Sequence, residues 1–235
     1  MLVEGWDEIS LALEAGHTPR ALMADPMRTT HPLAIQGVEA ATVGEQVFDK
    51  ISQREHPDGW IALFQTPTRT LAGLPLGREP LLVVLESLEK PGNLGAILRT
   101  ADAAGADAVI VCDPLADVYG PNVVRSSRGT VFSVPVVQAS SNDAIDYLRS
   151  HRIGIVAATP DGNADYTDQD LTGGVALVLG TESSGLSRGW LDAADVLALI
   201  PMRGKVNSLN VSVAAATLIF EALRQRKAAG RSPQQ

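Results

Sequence analysis

The chain has 235 residues, 45% of them hydrophobic and 20% charged, a composition that suits one large globular domain or two small ones. No apolar run approaches the ~18 residues that cross a bilayer, and an opening that carries Glu4, Asp7 and Glu8 is unlike a secretory signal. The net charge of −8 is shared evenly by the two sides of Arg78, which excludes a basic nucleic-acid arm on either side and leaves any phosphate contacts to be gathered locally.

In chain order, a helix is expected over Asp7–Ala15, buried strands at Ala21–Met23 and Ile61–Phe64, and a second helix over Val43–Ser52 with Gly44-Glu45 near its start. Residues 1–67 thus read as a small α/β unit. Residues 68–79, rich in Pro, Gly and Thr, read as a linker. From residue 80 to 235 the rhythm is regular. Strands are expected at Leu81–Leu85, Ala108–Val111, Phe132–Val137, Ile153–Ala157, Val175–Leu179 and Val196–Ile200. Helices are expected at Asn93–Ala104, Asn122–Ser127, Asn142–Ser150 and Leu209–Arg226. Continuous apolar strands alternating with helices predict an α/β fold whose parallel sheet is covered on both faces. The one cysteine, Cys112, ends the run Val109–Cys112 and reads as a small buried residue in a reducing cytoplasm.

Ligands of such sheets bind beyond the carboxyl ends of the strands, so the segments after the strands carry the chemistry. After Leu85, Pro91-Gly92 makes a turn, Asn93 suits a helix cap, and Gly95 in the first turn suggests close backbone approach. Arg99, six residues beyond Asn93, shares a broad face with it. After Leu179 comes Gly180-Thr181-Glu182-Ser183-Ser184-Gly185, a glycine-bounded turn that is neither a phosphate loop nor a dinucleotide fingerprint. After Ile200 a small and polar stretch leads to an Ala-rich helix that Asn207 or Ser208 could cap, and that would suit a dimer face. Each segment alone is equally well read as an ordinary capped or glycine-rich turn.

Together and in order, Asn93-x-Gly95-x-x-x-Arg99-Thr100, Gly180-x-Glu182-x-x-Gly185-Leu186 and Ile200-Pro201-Met202-x-Gly204-x-x-x-Ser208-Leu209-Asn210-Val211-Ser212-x-Ala214 resemble the three motifs of the SpoU/TrmH RNA 2′-O-ribose methyltransferases of the SPOUT superfamily. The resemblance covers roughly residues 80–228. It implies a C-terminal domain with a trefoil knot, an exception to the rule that chains are unknotted. It also implies a small N-terminal substrate-binding domain, a homodimer, and S-adenosylmethionine as cofactor without a metal. By the family pattern Leu179, Gly180, Glu182, Ile200, Met202, Ser208 and Leu209 line the cofactor pocket, joined by Thr159. Asn93 and Arg99 match the catalytic pair; Glu182, Ser208 and Asn210 hold the ribose or shape the pocket; Arg99, Arg125 and Arg128 meet RNA. A guanidinium is a poor base at neutral pH, which favours Arg99 as a phosphate clamp, although the residues leave a base role open. Relatives with this small domain often carry a basic segment ahead of the Glu-Gly that stands here at residues 4 and 5; this sequence starts at Met1.

The implied activity is methylation of a ribose 2′-hydroxyl in structured RNA, ribosomal ahead of transfer RNA. The rival readings are a non-catalytic RNA-binding protein on the same scaffold, against which Asn93, Arg99, Glu182 and Asn210 speak, and a nucleotide-binding dehydrogenase, which lacks its fingerprint.

Overall fold

The structure is a computed structural model that describes residues 1–181 and 184–230. The first part of the chain runs β1 (Leu2–Glu4), α1 (Trp6–Glu14), β2 (Pro19–Ala24), β3 (Ala40–Thr42), α2 (Glu45–Ile51) and β4 (Trp60–Phe64). Its sheet has the order β1-β4-β2-β3; β4 is antiparallel to β1 and β2, and β3 lies parallel to β2. The two expected helices and two expected strands are there. β1 and β3 were not anticipated, because three residues are too few to display an alternating pattern. Glu4 at the end of β1 is buried, and its carboxylate accepts hydrogen bonds from the Ser52 hydroxyl and from the Gln53 N–H at 2.9 Å.

The second part runs β5 (Leu81–Glu86), α3 (Pro91–Ala104), β6 (Ala108–Cys112), α4 (Pro121–Ser127), α5 (Thr130–Ser133), β7 (Val136–Ala139), α6 (Ser141–Ser150), β8 (Gly154–Ala158), β9 (Ala164–Asp165), β10 (Val175–Leu179), α7 (Arg188–Ala193), β11 (Val196–Leu199) and α8 (Val211–Ala228). Among the described residues the sheet has the order β7-β6-β5-β10-β8-β11-β9, and every ladder is parallel. Alternation along β5 sends Leu81, Val83 and Leu85 to the face covered by α3 and α8, and Leu82 and Val84 to the other face with Trp190 of α7. Both faces are apolar, which is why these strands read as unbroken hydrophobic runs. Residues 71–76 lie against the sheet through Leu71, Leu74 and Leu76.

One expected strand is corrected. Phe132 is not in a strand: it belongs to the short helix α5, and the strand begins only at Val136. Pro135 has no N–H to give to a ladder, and its carbonyl instead accepts from Val109 N–H at 2.9 Å just ahead of the strand. A short apolar run of this kind looks alike in either state. The helical turn has a purpose in packing. It points Phe132 at the small sheet, where its ring centroid lies 6.1 Å from Phe64 and 5.6 Å from His17. Beside it, Gly129 with φ 83° lets α1 approach: a Cβ there would meet the Leu11 side chain at 3.0 Å.

Candidate functional site

Because the ladders are parallel, β5, β10, β8 and β11, which are neighbours in the sheet, end at one edge. The motif segments all leave from that edge. This is where open α/β sheets build their ligand sites.

The segment after β5 leads into α3. Asn93, expected as its cap, is instead in the first turn; Lys90 stands at the cap position and Pro91 opens the helix, for which its fixed φ is suited. The half-buried Asn93 side chain is therefore available elsewhere, and its Oδ1 accepts a hydrogen bond from Asn210 Nδ2 at 3.2 Å. Asn210, not Asn207 or Ser208, caps α8: its Oδ1 accepts from the Ser212 N–H at 2.9 Å and the Ser212 hydroxyl at 2.6 Å. One amide thus fixes the start of α8 with its oxygen and the start of α3 with its nitrogen.

Arg99 lies further along α3, exposed, and its side chain makes no hydrogen bond or ion pair to any described residue. Gly95 does mark a close approach, but to protein rather than ligand: a Cβ there would stand 2.1 Å from Ser126 Oγ and 2.6 Å from Ser126 Cβ. The Ser126 hydroxyl in turn donates to the carbonyls of Asn122 at 2.7 Å and Pro91 at 3.1 Å. This contact seats α4, which carries the exposed Arg125 and ends at the exposed Arg128, on α3. Arg128 ends α4 in the left-handed region, at φ 52° and ψ 37°, a conformation a non-glycine residue adopts only when its surroundings impose it.

The loop after β10 is closed on itself. Thr181 N–H donates to Gly185 O at 3.2 Å, and Gly185 N–H to Thr181 O at 3.0 Å. Gly180 has no room for a side chain, since a Cβ would stand 2.1 Å from Gly185 O. Glu182 lies outside the described residues. Leu179 is buried in the core. After β8, Thr159 N–H donates to Ala198 O at 3.0 Å, and Gly162 lies against β11, where a Cβ would meet Leu197 O at 2.7 Å. After β11, Ile200, Met202 and Leu209 are half-buried and Ser208 is exposed. A nucleoside-like ligand suits this edge: half-buried apolar side chains for a flat base, and a glycine turn whose backbone can be approached.

Sequence reading passed over the polar residues behind these loops. Glu86, at the end of β5, is buried, and one carboxylate oxygen accepts the Ser187 N–H at 2.7 Å. The Ser141 hydroxyl donates to Asp113 at 2.7 Å, lies 3.4 Å from Glu86 Oε1, and accepts from Trp190 Nε1 at 3.0 Å. Next to them the Cys112 thiol is pushed up to about 12, by burial first and then by the charges of Asp113 and Glu86. The available signal was a lone acidic residue closing an otherwise apolar strand.

Residues 80–220 match the model of the SpoU rRNA Methylase family, and residues 1–62 match the MRM3-like substrate binding domain. The chain is 35% identical to a 23S rRNA (uridine(2479)-2′-O)-methyltransferase of Streptomyces viridochromogenes, over 96% of this chain and 83% of that one. It is 31% identical to the 23S rRNA (guanosine(2553)-2′-O)-methyltransferase RlmP of Bacillus subtilis, over 93% of this chain and 86% of the relative. Among solved structures, the SpoU methyltransferase AviRb from S. viridochromogenes, in complex with AdoMet, superimposes with a TM-score of 0.87 at 33% identity, covering 97% of this chain and 91% of that one.

Proposed function

The chain belongs to the SpoU rRNA Methylase family, and from that we propose that it is an S-adenosylmethionine-dependent methyltransferase acting on a ribose 2′-hydroxyl of ribosomal RNA. The observation that carries this reading is the meeting of motif residues at one sheet edge, with Asn93 and Asn210 hydrogen-bonded across it at 3.2 Å. When bound, the cofactor supplies a methyl group on a sulfonium. The backbone of Leu179 and Gly180, the side chains of Ile200, Met202 and Leu209, and Thr159 and Ser208 would hold it, together with Glu182.

The chain's own part is to bring a ribose oxygen into line and manage its charge. Arg99 clamps the RNA phosphate beside the reactive ribose through paired N–H donors and so orients the hydroxyl. Asn93, held by Asn210, orients the hydroxyl from the other side. Arg125 and Arg128 add phosphate contacts, which an otherwise acidic chain needs. Residues 1–67 form the unit that selects the RNA, joined through residues 68–79 to the catalytic unit. The same reading includes a trefoil knot, consistent with β10 entering the sheet between the earlier strands β5 and β8. It includes a homodimer through α8, on which Val213 and Phe220 are 49% exposed. It also includes a cytoplasmic setting, which suits a ribosomal RNA substrate and an unpaired cysteine.

The test is Arg99→Ala. Methyl transfer to RNA should fall on the order of 10²-fold or more while calorimetric S-adenosylmethionine binding persists. Transfer at the wild-type rate would remove Arg99 from the mechanism.

A further inference from the structure

β5 and β10 are paired in register, Leu85 opposite Leu179, so Glu86 and Gly180 are the next residues out on adjacent strands. The loop leaves the sheet at Gly180 and returns at Ser187, whose N–H donates to Glu86 Oε2 at 2.7 Å. Both ends of this loop are therefore tied to the end of β5, one by the ladder and one by a carboxylate. The tie is itself braced. Ser141 at the start of α6 lies 3.4 Å from the other Glu86 oxygen, donates to Asp113 at the end of β6, and accepts from Trp190 of α7. Ser87 and Asp113, the residues that turn the chain out of β5 and β6, both stand at positive φ, 51° and 47°. The backbone is held in an uncommon conformation beside each carboxylate. The segment from 87 to 90 that leads to Asn93 also starts here, so Glu86 is the common root of two motif loops.

We propose that Glu86 is a positioning residue for the cofactor: by accepting the Ser187 N–H it anchors the segment after Gly185 to the end of β5 and so holds the backbone of Gly180, Thr181 and Gly185 against which S-adenosylmethionine binds. This rests on the reading that the loop holds the cofactor. Closing a loop in advance removes the cost of ordering it on binding, so the effect appears in affinity rather than in the chemical step. The role needs an acceptor oxygen, not a charge, and the glutamine amide oxygen provides one.

Three variants test it, each by calorimetric S-adenosylmethionine affinity, kcat at saturating cofactor, and thermal melting. Glu86→Leu and Ser187→Pro should each weaken cofactor binding at least about tenfold with kcat changed less than about threefold, and Glu86→Gln should bind within about threefold of wild type. Ser187→Pro removes the donor at a residue whose φ of −65° proline shares and whose hydroxyl does not cap α7, and it decides the question if Glu86→Leu does not fold. A folded Glu86→Leu or Ser187→Pro that binds like wild type overturns the role of Glu86, as does a Glu86→Gln that fails as badly as Glu86→Leu. Absence of binding by the wild-type chain overturns the cofactor assignment instead.

Discussion

Asn210 links two helix starts through one side chain, and its two halves can be separated. Serine keeps an oxygen that can cap α8 but has no amide nitrogen for Asn93. Asn210→Ser should therefore melt within about 1 kcal/mol of wild type. Its kcat should drop on the order of tenfold or more, because the bond from Asn210 that orients Asn93 is lost. A normal kcat would show that the 3.2 Å bond between the two amides is incidental. Cys112 makes a second residue-level prediction. With its thiol at about 12 and its side chain fully buried, it should resist alkylation at pH 8 until the protein unfolds. Rapid labelling of native protein would contradict that burial.

Between elements, the contact that matters most for the site is α3 on α4. Gly95→Ala places a methyl where Ser126 already stands, so α4 must shift at a cost of roughly 1–3 kcal/mol. The shift moves Arg125 and Arg128, so RNA affinity measured by filter binding should fall while cofactor affinity holds; unchanged RNA affinity would detach α4 from the substrate. The strands and most helices of this part were legible because their apolar runs are long and both sheet faces are dry. Gly95 was legible as a close approach, but its partner was not, since spacing along α3 says nothing of α4. The helix starts were misread by a few residues for a local reason. Pro91 can open α3, which leaves Asn93 for a tertiary bond, and the third loop offers Asn207, Ser208 and Asn210 as competing caps of which tertiary contact selects the last. Glu86 was invisible because its partner is 101 residues away.

At the scale of the whole molecule, the small sheet meets α5 of the second part at Phe64 and Phe132, with His17 beside them. His17 is half-buried, and its Nε2 is buried without a hydrogen-bond partner among the described residues. Burial, and then the nearby Arg69 charge, hold its imidazole below the ordinary value of 6.5. The folded interface therefore prefers the neutral ring. Its contribution is complete above pH 6.5 and is lost as the pH falls from there through the folded pKa. Wild type should lose more melting temperature than His17→Gln between pH 7.5 and pH 5, and equal losses would exclude His17 as the cause. This interface was not readable from sequence: Phe132 was assigned to a strand, and nothing in a single chain shows which apolar ring faces which sheet. The motif residues were readable because their types and order are fixed by chemistry, while their meeting at one edge required the parallel order β5-β10-β8-β11. The most direct measurement is transfer of methyl from labelled S-adenosylmethionine to 23S rRNA, followed by mapping of alkali-resistant linkages. One new ribose 2′-O-methyl position, absent with Arg99→Ala, is the expected result; methyl found on a base, or none on any ribosomal RNA, would contradict it.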